Sequence, residues 1–192
     1  MKQLFIILLA TLAFSASCSN KRTTPKPRGY YRIELPQERG YVRTALKGYP
    51  YSFEISSHAD VAPTTEEHSE PYWINISYSD YNAKIHISYK AVKNNLDKYV
   101  EDTHYLVYKH TVKADAIVQQ RFESDDGKTY GYLYEIGGNA ASNVQFYVTD
   151  SARHFLRGSL YFNTHPNRDS LQPVIDYITE DIFHLIETTK WR

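Results

Sequence analysis

The sequence predicts an α+β domain: an antiparallel sheet of about six or seven strands with one helix on each face. Three observations carry this. Short alternating apolar runs separated by turn residues fill most of the chain. Two stretches switch to helical spacing, one around residues 95–110 and one from Asp169 to Thr189. The last four alternating runs follow one another through short turns, which makes a meander. Two helices cover so wide a sheet poorly from one side, so a layer on each face is the expectation.

Met1 to Cys18, MKQLFIILLATLAFSASC, is a targeting segment and not part of the fold. Lys2 supplies the positive start, Phe5–Phe14 an apolar run too short to span a bilayer, and Ser15, Ala16 and Ser17 the small residues of a cleavage site. Cys18 is the only cysteine and stands where a bacterial lipobox places its acylated residue, although Ser15 replaces the usual Leu. The alternative is ordinary cleavage at Ala16–Ser17, leaving Cys18 a free thiol. A free thiol in an oxidising compartment is a liability. Lipidation of Cys18, with fatty acyl groups such as palmitate, is therefore the expectation, and two or three chains anchor a protein durably.

Residues 1–17 thus read as a signal peptide, 18–29 as a lipid-anchored tether and 30–192 as one domain. The tether, with Lys21, Arg22, Pro25, Lys26, Pro27 and Arg28, is basic and extended. Without residues 1–17 the chain has 175 residues, with 21 Lys and Arg against 22 Asp and Glu. A charge near zero and no basic run in the domain argue against nucleic acid as a partner. With no second cysteine there is no disulfide, so stability must come from a core. Tyrosine is the outlier, 18 against 8 Phe. It suits strands and half-buried surfaces.

Residues 30–50 read as an aromatic lead-in arm packed on the sheet. Tyr51–Ile55 alternates as a first strand, and the polar, proline-broken stretch 56–71 as a loop. Residues 72–90 form a hairpin turning at Ser79–Asn82. The first helix spans about 95–110 from an N-cap at Asn94 or Asn95, with Leu96, Val100, Thr103 and Val107 inward. Strands follow at 116–123, 129–136, 144–148 and 154–162. The final helix starts at Asp169 with Gln172 as a capping box, and Leu171, Val174, Ile175, Ile178, Ile182, Leu185, Ile186 and Thr189 make one stripe. Its polar face carries Asp176, Glu180, Asp181 and Glu187, so it packs on the sheet and not on a membrane.

Chemical motifs are sparse. There is no G-x-S-x-G, H-E-x-x-H or P-loop. Glu101-x-x-His104 has di-iron spacing without the second copy such sites need, and His104 reads as a helix-surface residue. His58 and His68, near Glu66, Glu67 and Glu70, read as parts of a solvated acidic loop rather than a metal site. Neither a catalytic residue nor a cofactor is expected. Arg157 stands out in an otherwise apolar strand. It reads as an outward-facing strand residue, and turned inward it would need a carboxylate and would be the best anchor for a ligand or partner.

Five stretches carry a family resemblance: the lipobox, Pro25-Lys-Pro-Arg-Gly-Tyr30, Tyr49-Pro-Tyr-Ser-Phe-Glu54, Pro71-Tyr-Trp-Ile-Asn75 and His154-Phe-Leu-Arg-Gly-Ser-Leu-Tyr-Phe-Asn163. Together they resemble the gliding-motility lipoprotein family GldD of Bacteroidetes, with a likeness reaching the C-terminal Lys190-Trp191. The resemblance implies an envelope lipoprotein of gliding motility and the linked type IX secretion machinery. Its element order also looks like the layered fold of the Mog1 and PsbP proteins. A non-enzymatic role through contact with other envelope proteins is the expectation. Arg28, Tyr30, Tyr31, Trp73 and Arg157 are the candidate partner-binding residues, in or beside these stretches. The expected location is the periplasmic face of the outer membrane, because Ser19 follows Cys18 where Asp, in some bacteria, signals inner-membrane retention. The competing expectation is a small-ligand-binding lipoprotein with a Tyr-rich pocket between sheet and helix; a hydrolase with a dispersed site is a third.

Overall fold

Every strand of the main sheet runs antiparallel to its neighbours. The computed structural model describes residues 33–164 and 167–192, all within one unit, Arg32–Arg192. The signal peptide, Cys18, the tether, Arg28, Tyr30 and Tyr31 lie outside the described residues. In chain order the elements are β1 (Tyr41–Arg43), β2 (Tyr51–Ser52), β3 (Glu54–Ser56), β4 (Asp60–Pro63), β5 (Ile74–Tyr78), β6 (Ala83–Ala91), α1 (Leu96–Tyr108), β7 (Ile117–Glu123), β8 (Tyr130–Ile136), β9 (Ser142–Thr149), β10 (His154–Phe162), α2 (Arg168–Glu187) and β11 (Lys190–Trp191). The main sheet has seven strands in the order β4-β5-β6-β10-β9-β8-β7. The meander β7 to β10 and the hairpin β5–β6 form as the alternation predicts, and β10 joins them by pairing with β6.

One helix lies on each face. The α2 stripe packs Val174, Ile175, Ile178, Ile182, Leu185 and Ile186 against Ile74, Ile76, Ile85, Ile87, Phe146, Leu156 and Leu160. On the other face α1 lays Val107, with Leu96, Tyr99 and Val100 around it, over Tyr134, Ile136, Tyr147 and Phe155. The interior strand β9 is consequently buried on both faces along its whole length. Gly158 is required in β10, because a methyl group there would land inside the Phe146 ring on the neighbouring strand.

The lead-in arm packs as expected, with Ile33, Leu35, Leu46 and Tyr49 against the α2-side core and β1 paired to β3. Arg39 reaches α2, pairing with Glu180 and Asp181 at 2.8 Å each. Asp181 is 3% exposed and also accepts hydrogen bonds from Tyr41 and Tyr78 hydroxyls at 3.0 and 3.1 Å.

Several expectations need correction. Part of the stretch read as a loop, 56–71, is the edge strand β4, whose largely exposed side chains show no inward alternation. The single strand expected at 51–55 is two short ones that change partner around Phe53: β2 pairs with β11 and β3 with β1. β11 itself was not expected, since two residues carry no periodicity. Helix α2 begins before Asp169, so the Asp169–Gln172 capping box does not form. The Arg168 N–H is instead capped by Asn139 Oδ1 at 3.1 Å, and Gln172 bonds Arg168 and Asp176. Asn95 sits at the start of α1 but accepts from the Lys93 N–H and donates to the Tyr99 hydroxyl, with no side-chain cap.

Candidate functional site

The face of the sheet opposite α2 is only half covered. Helix α1 shields the β8–β9 side, while the β5–β6 side carries the polar alternates Asn75, Ser77, Lys84, His86, Ser88 and Lys90. In β10 the same alternation sends Leu156 and Leu160 into the α2-side core. It therefore sends Arg157 and Ser159 to the half-covered face. The register aligns one polar row across four strands. Ser159 pairs with His86 of β6 and Gln145 of β9, and His86 pairs with Asn75 of β5. Arg157 lies one step along, opposite Ser88 and Tyr147.

Arg157 thus points away from the α2-side core, yet it is not a free surface residue. Its Nη2 donates to Gln145 Oε1 at 2.7 Å, while its Nε is buried without a partner. No ion pair forms to it among the described residues, and residues 1–32, 165 and 166 contain no acid at all. The carboxylate expected for an inward Arg is not paired with it among the described residues, although Glu66 lines the same cleft. A neutral amide holds the guanidinium instead. Burial pushes the Arg157 pKa below its ordinary value, with Tyr161 pulling it back up.

Around it the row is under-bonded. Asn75 Oδ1, Gln145 Nε2, Arg157 Nε and Ser159 Oγ are four of the six buried side-chain polar atoms without a partner among the described residues. Gln145 is fully buried and Ser159 is 3% exposed. Buried polar groups in folded proteins are normally paired, so such a concentration calls for an explanation. The remaining two, His154 Nε2 and Tyr177 Oη, lie elsewhere.

A cleft of about 250 Å³ opens over the His86–Ser159 part of the row, lined by Thr64, Glu66, Trp73, His86, Ser88, Arg157, Ser159 and Tyr161. A neighbouring groove shares His86 and Tyr161 and adds Lys84. Trp73 is fixed by an Nε1–H bond to the Tyr89 carbonyl at 3.1 Å and by Lys90, 5.6 Å from the ring centroid. Burial also holds the His86 pKa below its usual value, against the pull of Glu66. His110, in the 3₁₀ turn after α1, is lowered by burial and by the charge of Arg157.

Two of the five predicted binding residues, Trp73 and Arg157, therefore share one cleft although 84 positions separate them. Sequence reading missed Gln145, Ser159, His86 and Glu66. A signal existed in Gln145 and Ser159, polar residues at alternating positions of strongly apolar strands, but only the register shows that they meet. His104, read as a helix-surface residue, is half-buried and bonded to the Tyr134 hydroxyl at 2.9 Å. The Tyr-rich pocket expected between sheet and helix is filled: Tyr51, Phe53, Ile76, Phe146 and Ile178 there are at most 1% exposed. Among the described residues no group of three or more His, Cys, Asp or Glu converges, and no helix is long and apolar enough to cross a membrane.

Comparison with known proteins gives a family and a likeness among solved structures. The family model described as gliding motility lipoprotein GldD matches residues 20–191. None of the curated proteins matches the chain. A solved structure similar to it is the PsbP protein (CyanoP) of the cyanobacterium Synechocystis sp. PCC 6803, at 9% identity and a TM-score of 0.46, covering 79% of this chain and 92% of that one. The α+β layering rests on this chain's own strand order and helix placement.

Proposed function

Because the chain belongs to the gliding motility lipoprotein GldD family, we propose that it is a lipid-anchored envelope component of gliding motility and the linked type IX secretion machinery, acting by protein contact and not by catalysis. The observation that carries this reading is the family match over residues 20–191, which starts two residues after Cys18. Cys18 holds the acyl groups, residues 18–29 form the tether, and the domain stands at the periplasmic face of the outer membrane. The contact role is supported by aromatic and apolar groups that face solvent on α1 and the turn after it: Tyr105, Leu106, Tyr108 and Val112. Tyr is favoured at such surfaces because it joins a broad apolar face to a polar tip. Arg28, Tyr30 and Tyr31 of the tether and lead-in, with Trp73 and Arg157 of the cleft, are the proposed contact residues.

Deleting the gene in a gliding, type IX-secreting host is expected to abolish colony spreading and secretion. Cys18→Ala is expected to reproduce the defect while shifting the protein from membrane to soluble fractions. Normal spreading and secretion in the deletion strain would refute the reading.

A further inference from the structure

We infer that the cleft lined by Trp73, His86, Arg157, Ser159 and Tyr161 is a binding site for a carboxylate, seated on Arg157. The site is built and not incidental. One cation lies in it with no ion pair among the described residues, held by a neutral amide. Beside that cation stand orphaned buried donors, Gln145 Nε2 and the Ser159 hydroxyl, together with its own Nε. A carboxylate supplies what they lack. It brings a negative charge and acceptors matched to the guanidinium fork, and it can take a hydrogen bond from the Ser159 hydroxyl. Trp73 and Tyr161 provide apolar walls for the carbon chain behind the carboxylate.

Size and charge narrow the class. About 250 Å³ is below the roughly 300–1,000 Å³ of sites for larger ligands, and suits a short organic acid or one acidic side chain. A single buried cation with Glu66 on the rim suits a singly charged planar anion better than a phosphate, which carries more charge into the reach of Glu66. Glu66 therefore weakens the site, and its removal strengthens it.

The inference rests on the contact role only for the source of the acid. A free acid and an acidic residue of a protein partner present the same group. The test uses the full chain in detergent, with the Arg157 Nε–H and Trp73 indole N–H followed by NMR. The probes are sodium acetate, sodium glutarate, N-acetyl-glutamate α-amide, acetamide and inorganic phosphate. Saturable shifts of both signals with the acids, and none with acetamide, are expected. Arg157→Gln, read at Trp73, is expected to weaken binding about 10- to 100-fold, the worth of a hydrogen-bonded charge. Glu66→Gln, an exposed substitution that leaves the fold alone, is expected to tighten it severalfold. The α-amide binding more tightly than glutarate assigns the acid to a polypeptide, and the reverse assigns it to a free metabolite. No saturable shift, equal response to acetamide, phosphate binding more tightly than acetate, or unchanged affinity in Glu66→Gln overturns the proposal. A deletion strain that glides normally overturns the contact role and leaves this titration standing.

Discussion

If the Arg157–Gln145 pair is kept for binding, the fold should be more stable with both residues made apolar. Its Nη2 bond to Gln145 is charge-assisted, worth about 1.5–3 kcal/mol. Against that stand two buried orphans, Arg157 Nε and Gln145 Nε2, each costing about 1–3 kcal/mol. Replacing both residues at once, Arg157→Met with Gln145→Leu, removes one bond and two orphans. The expected net is a stabilisation of about 1–3 kcal/mol, in line with apolar replacement of other buried polar groups. Arg157→Met alone exchanges the orphaned Nε for a stranded Gln145 Oε1 and loses the bond, so it should destabilise by about 1.5–3 kcal/mol. Gln145→Leu alone strips the guanidinium of its only described partner and should destabilise by about 3 kcal/mol or more. Urea unfolding followed by Trp fluorescence, extrapolated to water at constant m, reads all three. A double variant less stable than the parent would show that the row is a satisfied structural network, and the reasoning would fall.

Three other outcomes follow from the fold. Gly158→Ala should destabilise by about 1–3 kcal/mol through overpacking against Phe146, and adding Phe146→Leu should recover much of it in the same unfolding assay. Asp181→Ala should cost about 3–5 kcal/mol, because it strands the Arg39 guanidinium and the buried Tyr78 hydroxyl together; a loss under about 1 kcal/mol would mean that Arg39 finds Glu180 sufficient. Stability should also fall as pH drops. His86, His110 and His154 all have pKa values lowered chiefly by burial, so the unfolded chain binds their protons more tightly. Their contribution is complete above about pH 6.5, the ordinary histidine value, and is lost as pH falls from there through their lower folded-state values. Urea midpoints at pH 7.5 and 5.5 should differ in that direction, and less so in a His86→Asn, His154→Asn double variant.

Local pattern alone determined much of this protein. The α2 stripe from Val174 to Ile186, the α1 face at Thr103 and Val107, and the hairpin β5–β6 each bury one side of a regular element. A period of 3.6 or 2 is legible wherever one face is dry and the other wet. The family likeness was legible in the same way, through short stretches read in order. Tertiary structure alone decided the rest. β4 and β11 each turn a single apolar residue, Val61 or Trp191, toward the core, too little to show a period, and they exist because β5 and β2 offer open edges. Asp181 gave no sign that Arg39, 142 positions away, would meet it. Arg157 in its strand carried two readings, and neither was quite right: it turns from the α2-side core but is walled in by Gln145, Ser159 and the turn after α1. Alternation says which residues share a face, but only cross-strand register says which polar residues stand side by side, and that register is set by turns and core packing far from the row itself.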